Sequence, residues 1–229
     1  MSTSCGHCVL AHVCLISALA RECPLSVTSI THQHPFRAGE LLMAEGEPIH
    51  SLQVVKTGLV MLGQLGPQGR SKPLALVGRG HTLGARAVSK APALMWARAQ
   101  SPVVTCQVSL STVSASCFPA VQALLPELYS RTLMALADWT QVVRVAQLRS
   151  RVLTALELLA KLQGGGARVL LPRQADLAEL LCITRESWGR VIRTLEAEGV
   201  LARVDRSYVD MLGHVPTVVS RFEGLDPRQ

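Results

Sequence analysis

Aromatic residues are nearly missing: three Trp, three Phe and two Tyr make up 3% of the 229 residues. The core must therefore be built from Leu, Val and Ala. Charge is also sparse, at 17% against 48% apolar residues. That balance excludes a disordered or collagen-like chain. A clean apolar run is lacking as well, despite a mean hydropathy of +0.29. The longest uncharged stretch, Ala99 to Pro126, is broken by Pro102 and Pro119 and filled with Ser and Thr. It reads as strand, loop and helix start, not as a membrane span. No Lys or Arg precedes the apolar part of the first twenty residues, and cysteines and histidines interrupt it, so a secretion signal is not expected. The sequence thus predicts a soluble, cytoplasmic protein. No Ser/His/Asp or paired-carboxylate constellation stands out, and no enzyme is expected.

What is plentiful, for a cytoplasmic chain, is cysteine. There are seven, an odd number, and Cys5, Cys8 and Cys14 crowd into a C-x2-C-x5-C pattern at the start. In a reducing compartment such a cluster suggests metal or redox chemistry before disulfides. Three thiolates leave a soft-metal site one ligand short. His7 or His12 can complete a tetrahedral zinc site, and a metal-free thiol sensor is the other reading. The net charge of +7 is spread along the chain, so it permits a polyanionic partner without requiring one.

Four segments follow from the patterning. Residues 1–30 form the Cys-rich head. Residues 31–119 show short apolar runs punctuated by glycine, as in SLQVVKTGLVMLGQLG, which predicts an antiparallel β-sandwich or jelly roll. Over residues 120–147 the period changes: Leu124, Leu128, Leu136, Val142, Val143 and Ala146 recur at helical spacing, predicting one long amphipathic helix. Residues 148–229 begin with a helix, Leu148 to Leu162, stopped by Gly164-Gly165-Gly166. A strand-like VLLP, a helix over Arg173–Leu181, a turn at Cys182–Ile183, a helix from Thr184 to Glu198 closed by Gly199, and a small hairpin then predict a winged helix-turn-helix. The fold class is α+β. Thr184 can cap the second helix, Trp188 reads as a core or wall residue, and Cys182 as a buried small apolar one.

The segment LPRQADLAELLCITRESWGRVIRTLEAEGVL resembles the DNA-binding unit of the CRP/FNR regulators, and the order of sandwich, long helix and winged unit extends the resemblance across the chain. It implies that Arg185, Glu186 and Arg190 touch base edges in the major groove, where Arg pairs with guanine and Glu accepts from cytosine. Arg173, Gln174, Thr184 and Ser187 would hold phosphates. The R-E-x-x-G-R pattern is closer to the CRP-type reader and implies palindromic sites with TGTGA-like half-sites. A homodimer seamed by the long helix, double-stranded DNA and RNA polymerase are the implied partners. Asp138 and Arg144 would lie near that seam.

The FNR branch holds a [4Fe-4S] cluster with the same N-terminal cysteine spacing, and with a fourth cysteine late in the sandwich. Cys106 in VVTCQV falls at the corresponding place, so the resemblance implies Cys5, Cys8, Cys14 and Cys106 as ligands of an oxygen-, nitric oxide- or redox-sensing cluster. Cys117 and Cys182 have no assigned ligand role, and Cys23 has none either, though it lies close enough in sequence to serve as a substitute ligand. The cyclic-nucleotide branch anchors phosphate with a Gly-Glu pair and an Arg-Ser-Ala segment. Here Gly80 and Gly84 remain, but Ala85 replaces the Glu and Ala93-Leu94-Met95 the Arg-Ser-Ala, with Arg86 and Arg98 nearby but off position. Cyclic AMP is therefore not the expected effector.

Overall fold

The computed structural model describes residues 8–22 and 31–212. The chain divides into two compact units, residues 1–137 and 138–229.

The first unit contains a β-sandwich. Strands β1 (Thr31–Phe36), β3 (Ser51–Thr57), β6 (Thr82–Leu83) and β8 (Val103–Ser109) form one sheet in the order β1-β8-β3-β6. Strands β2 (Leu41–Met43), β4 (Val60–Leu65), β5 (Ser71–Val77) and β7 (Trp96–Ala99) form the other, β2-β7-β4-β5. The strand pairings are antiparallel, as the glycine-punctuated text predicts. In β3, neighbours go to opposite faces as a period of two demands. Val54 joins one apolar cluster and Val55 the other. The Val55 cluster, with Leu62, Val77, Leu83, Ala97 and Val103, is the aliphatic filling between the sheets.

The Val54 cluster is a second core. It is formed with Leu52 and Val108 of the same sheet, Leu10, Cys14, Leu15, Ile16 and Leu19 of the head, and Val121 and Leu128. Sheet β1-β8-β3-β6 is thus covered on both faces, which explains why Leu52 to Val55 are buried without interruption. The head itself contains helix α1 (Leu15–Glu22), whose Leu15, Ile16 and Leu19 face inward. Two helices complete the unit: α2 (Phe118–Ala123) and the first part of α3 (Leu125–Arg144). The long helix expected over 120–147 is therefore preceded by a short separate turn of helix. On α3, Leu128, Trp139 and Val142 are buried, while Tyr129, Leu133 and Met134 stay exposed.

The second unit holds α4 (Leu148–Leu162), β9 (Arg168–Leu170), α5 (Gln174–Leu180), α6 (Arg185–Ala197), β10 (Leu201–Arg203) and β11 (Tyr208–Met211). The wing is larger than the hairpin expected, because β9 pairs with β11 to make a three-stranded sheet, β10-β11-β9. Its core includes Val152, Leu156, Leu159, Leu177, Trp188, Ile192, Leu195 and Val209. Gly199 follows α6 with φ +69°, the left-handed conformation that ends a helix at low cost for glycine. Among the described residues, no helix is long and apolar enough to cross a membrane.

Candidate functional site

The sharpest local geometry lies at the start of α6. Thr184 has extended backbone, and its Oγ1 accepts a hydrogen bond from the Ser187 amide at 3.1 Å, the N-cap that its position predicts. The same Thr184 hydroxyl donates to Ser187 Oγ at 3.0 Å. Arg185, Glu186 and Arg190 are all exposed, while Trp188, Val191, Ile192 and Leu195 pack inward. One face of α6 is thus fixed by the core, and its opposite face presents a row of charged side chains at a helix N-terminus, where the backbone dipole favours anions. Arg173 and Gln174 stand exposed at the start of α5, with Arg173 Nη2 2.9 Å from Asp176.

Sequence reasoning misses two features of this unit. Arg206 is exposed at the tip of the wing, where Asp205 Oδ1 accepts from the Ser207 and Tyr208 amides at 2.6 and 2.9 Å and tightens the turn. The signal for it is the Asp-Arg-Ser turn text between two short strands. Cys182 is corrected: it is exposed, with φ +55°, because the interhelical turn needs a left-handed residue there rather than a buried one.

In the first unit, cysteines remote in sequence share one apolar core. Cys14 is part of the second core, and Cys8 and Cys106 pack against it. Cys106 sits mid-strand on β8, paired with Gln33 of β1 and Val54 of β3. The three thiols are outside any disulfide and are of the type an iron–sulfur cluster takes, set against an apolar wall. In donor type they fit such a group. Among the described residues, no three His, Cys, Asp or Glu side chains converge closely enough to hold a metal ion. Cys5, His7 and Cys23 lie outside the described residues, and His12 is exposed. Cys117 is buried and disulfide-bonded, a state that the cysteine pattern does not suggest.

The head is also held by a charge. Arg131 of α3 donates from Nη1 to the Val13 carbonyl at 2.6 Å and from Nε to Glu127 at 2.6 Å. Gly80 faces Val13 so closely that a Cβ there would lie 3.0 Å from its methyl group.

Beside α3 the sandwich opens into a cavity of about 530 Å³. Ala85, Ala93, Leu94 and Met95, the residues standing where a phosphate anchor is absent, all line it. Arg86 also lines it, but its Nε is turned to the Pro92 carbonyl at 2.7 Å. Arg98 stacks on Trp96 instead, 5.2 Å from the ring centre. His81, on the cavity wall, has its pKa lowered to about 4, first by burial and then by the Arg131 charge, so its ring is neutral at physiological pH.

Residues 33–118 match the model of the cyclic nucleotide-binding domain, and residues 150–215 that of the Crp-like helix-turn-helix domain. The chain belongs to the CRP/FNR family of transcription regulators. As a CRP/FNR regulator it is a DNA-binding protein and not an enzyme. No curated protein matches it in sequence. Among solved structures it is similar to FixK2 from Bradyrhizobium japonicum, with 20% identity and a TM-score of 0.68 over 82% of this chain and 100% of that one. TTHB099, a CRP-family regulator of Thermus thermophilus, has 22% identity and a TM-score of 0.65 over 79% and 92%. TTHA1359, a CRP/FNR-family regulator of the same organism, has 21% identity and a TM-score of 0.59 over 80% and 94%. At these identities the likeness is one of fold: sandwich, long helix and winged unit in the same order.

Proposed function

We propose that this CRP/FNR regulator senses oxygen, nitric oxide or redox state through a [4Fe-4S] cluster ligated by Cys5, Cys8, Cys14 and Cys106. The observation that supports this reading is that Cys14 belongs to one apolar core against which Cys8 of the head and Cys106 of β8 both pack. When bound, such a cluster supplies an oxidant-labile tie between the head and the sandwich. The chain's own residues then carry the consequence. Arg131 links the head carbonyl of Val13 to α3, the helix whose exposed Tyr129, Leu133 and Met134 form the natural seam of a homodimer.

The dimer would place two α6 helices on a palindromic site with TGTGA-like half-sites, with RNA polymerase as the further partner. Arg185, Glu186 and Arg190 would read base edges. Arg173, Gln174, Thr184 and Ser187 would position the phosphate backbone.

Anaerobic purification tests the cluster. The expected product is a brown protein with about four irons per chain and matching sulfide. A colourless protein with stoichiometric zinc, completed by His7 or His12, contradicts it, and so does a metal-free protein that responds to thiol oxidation. Cys106→Ala separates a ligand from a packing residue: iron content must fall while the thermal midpoint of the winged unit stays put.

A further inference from the structure

Gly189 stands inside α6 without a reason that the chain itself supplies. It is the fifth of the thirteen residues of Arg185–Ala197, clear of the Thr184 cap and of the stop at Gly199. Glycine in a helix interior is destabilising, because it gives up more conformational freedom than any other residue and brings no side chain to pack. At other glycines of this chain the fold shows the compensation. A Cβ at Gly63 would run into the Trp96 ring, and Gly199 takes the left-handed backbone that closes α6. Neither holds at Gly189. Its φ is not positive, and apart from its chain neighbours and the backbone of its own helix nothing lies within 4 Å of where a Cβ would stand. A side chain there would fit the free protein and strengthen the helix.

The gap lies among the charged side chains of the reader. Residues three and four apart share a face of an α-helix. Gly189 is thus one turn beyond Arg185 and Glu186 and one turn before Arg193, with Arg190 beside it. All four of those side chains are exposed. Arg193 reaches back toward the gap, its Nε donating to the Gly189 carbonyl at 3.2 Å. Trp188, Val191, Ile192 and Leu195 occupy the opposite, buried face. A protein partner on this strip would meet charge where interface cores are poor in it, so a polyanion is the fitting neighbour. The fit to a duplex is tight. An α-helix with its side chains is about 10–12 Å across, and the major groove of B-DNA is about 12 Å wide. Where the two touch, a methyl group decides the distance. Lifting the helix by about 1 Å carries a hydrogen bond of about 2.9 Å out of bonding reach.

We infer that Gly189 is a positioning residue for operator reading: the bare backbone there is where α6 rests against the duplex, and its emptiness lets Arg185, Glu186 and Arg190 reach the base edges. This role rests on α6 being the recognition helix. The helix stability given up at Gly189 is then exchanged for close approach to DNA. Adding a side chain should therefore move stability and specific binding in opposite directions. A residue that only shapes the fold moves them together.

The test uses the anaerobically purified full chain and a duplex that the parent protein enriches from a randomised library. Gly189→Ala should raise the urea midpoint of the helical signal and weaken binding to that duplex about tenfold, the loss of one good base contact. Gly189→Leu should weaken it further. Binding to a scrambled duplex, which depends on phosphate charge, should stay within about twofold of the parent. Gly166→Ala is the control, since that glycine also has nothing within 4 Å of its Cβ position but stands outside α6, and its binding should match the parent's. Three results would each overturn the role of Gly189. They are specific affinity within about twofold of the parent in both Gly189 variants, equal losses on the enriched and scrambled duplexes, and a lowered urea midpoint in Gly189→Ala. Arg185→Ala separates this role from the reading beneath it. Retained binding in the Gly189 variants with loss in Arg185→Ala rejects the positioning role and leaves α6 as the reader. Retained binding in all three removes α6 from DNA reading, and Gly189 with it, as does a parent protein that enriches no sequence.

Discussion

Thr184 has the most defined role of any single side chain in the reader. Its hydroxyl satisfies one of the orphan amides at the start of α6. Thr184→Ala should cost about 1 kcal/mol of stability, seen as a lowered urea midpoint, with Thr184→Ser recovering most of it. Arg185 and Arg173 should behave differently in DNA binding. Arg185→Ala is expected to lose about 1–3 kcal/mol of discrimination at one base pair. Arg173→Ala should weaken all sequences alike and lower the salt dependence by about one counterion. Competition assays with single-base operator variants at two salt concentrations distinguish these patterns. Uniform loss in both variants would remove Arg185 from base reading.

His81 makes a residue-scale prediction about pH. Its pKa is about 4 in the folded protein against 6.5 for an unperturbed ring. Between those values the unfolded chain binds a proton that the folded chain refuses, so stability falls as pH drops through that window. The loss attributable to this ring is about 2 kcal/mol by pH 5. Denaturant titrations at pH 7.5 and pH 5 should show it, and His81→Gln should shrink the difference by most of that amount. An unchanged difference would mean that the ring is not enclosed. Local signals of this kind differ in how far the text shows them. Thr184 and Gly199 are legible because capping depends on near neighbours in the chain. The exposure of Cys182, the neutral state of His81 and the reach of Arg131 to Val13 are not, because each depends on a partner or a fold brought in from beyond the local text.

At the scale of elements, the strands and the two helices of the reader are plain in the sequence, since alternation and helical period report which face is buried. Helix α1 is not: its three inward apolar residues lie within the cysteine-rich head, for which no helix is expected, and only the covered sheet gives them a place to go. β9 reads as a strand, but its partner β11 lies far down the chain, beyond what periodicity can report. The cavity is foreshadowed by Ala85 and Ala93-Leu94-Met95 as missing anchors, while its volume depends on Gly84 and on how α3 lies against the sandwich. Helix α3 carries its own prediction. Leu133 is 68% exposed and Met134 40%, an apolar surface unusual for a helix in water. Met134→Glu should shift the protein from dimer toward monomer in sedimentation velocity and lower operator affinity, without changing the helical signal. A dimer untouched by the change would place the seam elsewhere.

For the whole molecule, the composition now has a physical reading. Few aromatics suffice because two aliphatic cores, one between the sheets and one between sheet, head and helices, fill the first unit. The net charge of +7 matters less than where the exposed arginines of the reader and wing stand. The second core joins the proposed sensing cysteines to α3 through Leu128, and Arg131 adds a polar tie at the same place. A signal that loosened the head would reach the long helix over a short path of packed side chains. The most direct measurement is operator affinity of anaerobically purified protein, taken before and after brief exposure to air, with iron counted in the same samples. Iron loss and affinity loss are expected to run together, and both to be absent from Cys106→Ala. Full operator affinity in air, or an affinity change in protein that never held iron, would contradict the cluster as the sensing element.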